Sequence, residues 1–109
     1  MYAWKPVAGV SAFGALSNVT SAPSQDTDET WCGFKPRFVM LKKHDATGPW
    51  HVFDQFRSSG DSFNNRIQAD DTAVEDAPSN AGIVVTANGF YTGSDSAMTG
   101  NNLIWMALA

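Results

Sequence analysis

Residues 33–43 read GFKPRFVMLKK, and one polar turn later residues 50–57 read WHVFDQFR. Each run is half apolar and too short for a helix of three turns, and the linker between them, HDATGP, is made of turn-forming residues. Two such runs joined in this way predict adjacent antiparallel strands. Pro36 has no backbone donor, so it belongs near the start of the first strand and not inside a ladder. On the second strand, alternation sets Trp50, Val52 and Phe56 on one face with Asp54 as the polar intruder, and His51, Phe53 and Gln55 on the other. Both faces are therefore expected to be partly covered.

The rest of the chain repeats this grammar. Residues 2–7 alternate modestly, and residues 11–16 place Phe13 and Leu16 among small side chains, which predicts two short strands. The strongest strand signal runs over residues 31–43 as a whole. Another short strand is expected at residues 63–69, with Phe63, Asn65, Ile67 and Ala69 on one side. Residues 83–87 and 90–93 flank Asn88-Gly89, the dipeptide best able to supply positive φ at both positions of a tight hairpin turn. The closing LIWMALA, residues 103–109, is apolar on both faces and reads as a central or covered strand. Between these lie polar loops at residues 17–30, 70–81 and 94–102, the second with room for a single helical turn at 72–76. About seven to eight short strands, with turn signals every ~8 to 12 residues, predict an all-β fold: an antiparallel β-sandwich, jelly-roll or lectin-like. At 109 residues the chain is read as one domain with one core.

The charge balance narrows the partners. Seven basic residues against eleven acidic ones give a net charge of −4, which argues against duplex nucleic acid, whose binding needs clustered cations. Lys35, Arg37, Lys42 and Lys43 do gather in sequence, but strand alternation divides them between faces. No apolar run approaches a membrane span, and residues 1–10 lack a basic region followed by an unbroken apolar stretch, so the chain is expected to be soluble, without membrane insertion. Cys32 is the single cysteine, so no internal disulfide and no cysteine-based metal set can form; a small, partly buried residue is expected there.

Candidate chemistry is sparse. His44 and His51 flank a turn, yet no third ligand is fixed near them, and they read as turn and sheet histidines. Asp70, Asp71, Glu75 and Asp76, with Asp26, Asp28 and Glu29, offer oxygen ligands without the spacing of a calcium loop, and read as solvated acids. No acid sits in a frame that suggests a glycosidase pair, and the serines lack a nucleophile elbow. The expectation is therefore no enzyme, no metal and no cofactor. Aromatic faces match the apolar side of a sugar ring, but most of Tyr2, Trp4, Trp31, Trp50, Phe90, Tyr91 and Trp105 should fill the core or face a neighbouring subunit. Trp50 and Tyr91, beside turns, are the expected exceptions. With Asp95 and Asn101 of the last loop they form the candidate ligand-binding set.

In order, the segments G-F-K-P-R-F-V-M-L-K, WHVFDQFR, NRIQADDTAVED, NGFYTG and GNNLIWMALA resemble a module of bacteriophage tail-fibre and related virion structural proteins, and A-W-K-P-V ahead of F-G resembles the lead-in between its tandem copies. The resemblance covers residues 31–109 and, more loosely, 2–16. It implies a β-sandwich located in the virion and partnered by other virion proteins or by copies of itself, with a trimer among the symmetric options. It transfers no catalytic residue. The acidic 17–30 loop departs from the Gly and Asn usual in the family, which leaves the ligand open. The expected function is a non-enzymatic structural or adhesion module of a tail fibre or capsid decoration; the alternative is a lectin-like domain binding host surface glycan.

Overall fold

The computed structural model describes residues 3–17, 29–58, 60–77, 82–93 and 102–109. Their secondary structure is entirely β: nine short strands in two antiparallel sheets that form a sandwich. The five-stranded sheet has the order β1-β9-β3-β4-β6, with β1 at Ser11–Leu16, β9 at Leu103–Leu108, β3 at Phe38–Lys43, β4 at His51–Asp54 and β6 at Ile67–Gln68. The four-stranded sheet has the order β2-β8-β7-β5, from Thr30–Trp31, Gly89–Thr92, Ile83–Val85 and Ser62–Phe63.

The predicted hairpin at residues 33–57 is present, with Phe38 opposite Asp54 and Leu41 opposite His51. The closing LIWMALA takes the central position expected as one of its two settings, between β1 and β3, but only its Leu103, Trp105 and Ala107 face is buried, whereas Ile104 on the other face is exposed. Inward-facing side chains of the two sheets meet in one core that includes Val39, Leu41, Phe53, Phe63, Ile83, Phe90, Leu103 and Ala107. Phe90 of β8 meets Trp105 of β9 edge to face, with ring centroids 5.4 Å apart, and so joins one sheet to the other.

Four sequence expectations are corrected. Residues 31–43 are not one strand: Trp31 ends β2 in one sheet and Phe38 begins β3 in the other. Gly33, at φ 81°, and the buried Pro36 turn the chain between the sheets, because neither continues a ladder. Residues 63–69 divide in the same way, Phe63 ending β5 and Ile67 opening β6. Residues 3–6 form no strand; only Val7 makes an isolated bridge, to Ser11. Residues 72–76 form no helical turn, because their neighbours are held by specific side chains described below.

The Asn88-Gly89 hairpin exists, but Gly89 serves a different purpose from the expected one. Val85 pairs with Phe90, and the Thr86 N–H donates to the Gly89 carbonyl at 2.8 Å, so Ala87 and Asn88 form the turn and Gly89 lies inside β8 without positive φ. A Cβ at Gly89 would collide with the Thr30 carbonyl oxygen. Glycine is required there because β2 passes against it.

Candidate functional site

The four residues singled out from sequence do not converge. Trp50 is half-buried and precedes β4 on the outer side of the five-stranded sheet, where the Lys42 ammonium lies 5.6 Å from its ring centroid. Its backbone N–H donates to Asp70 Oδ1 at 2.7 Å, and its carbonyl accepts from the Ala69 N–H at 3.1 Å. Tyr91 is also half-buried, but it alternates with the buried Phe90 and Thr92 and so faces outward from the opposite sheet. A single ligand would have to reach around the sandwich to touch both. Asp95 and Asn101 lie outside the described residues.

The exposed aromatics are others. Trp4 is 74% exposed, Trp31 71% and Phe56 90%, whereas Phe90 and Trp105 are buried. The expectation that Trp50 and Tyr91 would be the exposed pair is thus corrected. Phe56 falls beyond β4 because Asp54 Oδ1 accepts both the Phe56 and Arg57 N–H groups, at 2.9 and 3.0 Å, and so turns the chain. Trp31 is exposed because β2 is an edge strand and Trp31 alternates with the buried Thr30. A two-residue strand gives the alternation of Thr30 and Trp31 no length over which to be recognised in the sequence.

Beside Trp31 the two sheets part. β1 and β2 are the edges of their sheets on this side, and between them runs an open groove of about 490 Å³ lined by Pro6, Ala12, Phe13, Trp31, Cys32 and Trp105, among others. No lining side chain is charged. The Cys32 thiol is pushed up to about 11 by burial first and by the neighbouring Glu29 carboxylate second. It is a protonated, inert thiol at neutral pH. A second concavity of about 410 Å³ is edged by Lys35, Arg37 and Asp61, with Lys35 paired to Asp61 at 2.6 Å.

Of the acids that offer oxygen ligands, Asp70, Asp71, Glu75 and Asp76 are engaged in structure, Glu29 accepts from the Thr86 hydroxyl, and Asp26 and Asp28 lie outside the described residues. Glu75 accepts from Arg57 at 2.6 Å and from Asn65 at 3.0 Å, and Arg57 also pairs with Asp54 at 2.8 Å. Asp76 takes two guanidinium bonds from the buried Arg66, at 2.9 and 3.1 Å, while the two backbones exchange a pair of hydrogen bonds. Asp71 accepts from the Ala73 N–H at 3.2 Å. Among the described residues no group of three or more His, Cys, Asp or Glu side chains is placed to hold a metal ion. His51 is buried in β4, whereas His44 is exposed.

The fold and its surface define a small β-sandwich domain whose shaped features are open grooves and sheet faces. The chain belongs to the family described as "Domain of unknown function (DUF7483)", whose model matches residues 1–109. No curated protein and no solved structure matches it.

Proposed function

We propose that the chain is a non-enzymatic structural and adhesion module of a bacteriophage virion, placed in a tail fibre or on the capsid as a decoration. The observation that carries this reading is the position of the resembling segments. They supply β3, β4, β6, β8 and β9, strands of both sheets, so the likeness lies in the residues that build the sandwich and not in one loop. Its partners are other virion proteins or further copies of the chain. Mass spectrometry of gradient-purified phage particles tests the reading: the chain should be recovered at a fixed stoichiometry to the major capsid protein. Its absence from intact particles that carry both tail and capsid would sink it.

The uncharged groove beside Trp31 favours a second reading, a lectin-like domain that takes a neutral host sugar against the exposed indole. Titration with host surface glycans should shift the tryptophan fluorescence of the intact domain, and Trp31→Ala should abolish the shift. A glycan array without a specific hit argues against it.

A further inference from the structure

The outer face of the five-stranded sheet breaks the usual alternation. Antiparallel sheets that face water on one side normally present polar residues there. In this sheet the register aligns Phe13, Met106, Met40, Val52 and Ile67 in one unbroken row across all five strands. On one side of it runs Ala15, Ile104 and Lys42, and on the other Ser11, Leu108, Phe38 and Asp54. Only Ser11, Lys42 and Asp54 are polar. Among the described residues, no strand covers this face, because the second sheet packs against the other side.

We propose that this face is a self-pairing surface, on which two copies of the chain pack sheet against sheet about a two-fold axis running along the Phe13–Ile67 row. Three observations select a second copy as the occupant. The first is shape: a pleated apolar face is complementary to another at a spacing of ~10 Å, with no backbone group to satisfy. Second, β1, β9 and β3 of six residues, β4 of four and β6 of two, at ~3.4 Å per residue and ~4.8 Å between strands, make a face on the order of 400 Å². Two copies then bury on the order of 800 Å², the size of a weak, reversible pairing that shows itself at high concentration. The third is charge. Lys42 and Asp54 lie in the two flanking rows, so the two-fold sets the row holding the cation over the row holding the carboxylate, and no like charges meet. Asp54 is already offset by Arg57 and adds no unpaired charge to the contact. Met40 and Met106 at the centre are unbranched and adapt to a facing copy of themselves.

This pairing gives structural content to the reading of the chain as an assembling part, and rests on that reading only for its biological meaning. The test is native mass spectrometry and sedimentation of the full chain at about 100 µM, well above a micromolar Kd. A dimer is expected. Met40 lies on the axis and faces its own copy, so Met40→Lys and Met40→Glu should each weaken the dimer ~100-fold, and mixing the two variants should restore a heterodimer. Ile104, already 38% exposed, supplies Ile104→Glu as a variant less demanding of the fold, also expected to weaken pairing. Circular dichroism confirms that each variant folds. A monomer at this concentration, a different stoichiometry, or a dimer indifferent to these charges overturns the inference. A monomer found in purified particles would sink the pairing and leave the virion role standing; a dimer absent from particles would do the reverse.

Discussion

The two sheets are held in different ways. In the five-stranded sheet β1, β3 and β9 run six residues each in continuous register, so ladder bonds and cross-strand pairs share the load over a length of chain. In the four-stranded sheet no strand exceeds four residues, and β2 and β5 have two. That sheet depends on point contacts: Phe90 against Trp105, the Gly89 backbone against Thr30, and the Thr86 hydroxyl donating to Glu29. Length distributes stability, and its absence concentrates stability in single residues. Substitutions should therefore cost most at the point contacts of the short-stranded sheet and least on the outward face of the long-stranded one.

The largest expected effect is at Phe90, which is fully buried. Phe90→Ala removes the ring that bridges the sheets and should destabilise by about 3–5 kcal/mol in chemical denaturation. Met40→Ala, on the outer face of β3, should cost about 1–2 kcal/mol in the same measurement, since Met40 is only partly buried and touches no second sheet. Equal costs would break the contrast between the sheets. Next is Gly89→Ala, for which there is no room: the new methyl would meet Thr30 backbone, not a movable side chain. A loss of about 2–4 kcal/mol is expected, whereas Gly48→Ala, whose Cβ would meet only the Lys43 side chain at 3.4 Å, should stay within about 1 kcal/mol. A Gly89→Ala protein as stable as its parent would show that β2 is free to move away from β8.

The same contrast explains what could be read from the sequence. FVMLKK, HVFD and LIWMAL carry enough alternation or apolar length to declare strands, and these lie where the pattern places them. The short strands carry no period. Trp31 reads as part of its stronger neighbour and Thr30 as the end of a polar loop, and residues 63–69 read as one strand because the chain changes sheet within three residues, a tertiary event that alternation does not encode. Asn88-Gly89 was read from turn chemistry alone, whereas the decisive constraint is a strand more than fifty residues upstream. The site was less legible than the fold. Whether an aromatic is exposed depends on which strand is an edge, so Trp31 and Phe56 stand out only once the topology is known. The apolar outer face likewise exists only as a register, since Phe13 and Met106 are separated by most of the chain.

The smallest effect concerns Cys32, at the rim where the two sheets part. Its thiol rises from the usual 9.0 to about 11 through burial and the Glu29 charge, so the folded state favours the protonated form more than the unfolded chain does. The sign follows from linkage: the contribution to stability is complete below pH 9 and is lost as pH rises through about 11. Between those values the difference in stability between the parent and Cys32→Ser should narrow with rising pH, while below pH 9 it should be constant. Alkylation reports the same quantity directly, because only the thiolate reacts. At pH 8 the folded protein should be modified about 100-fold more slowly than the urea-unfolded chain, because far less of its thiol is ionised. A folded-state rate equal to the unfolded one would mean that the edge at Cys32 is open most of the time. The point contacts credited with holding the short-stranded sheet would then not hold its edge.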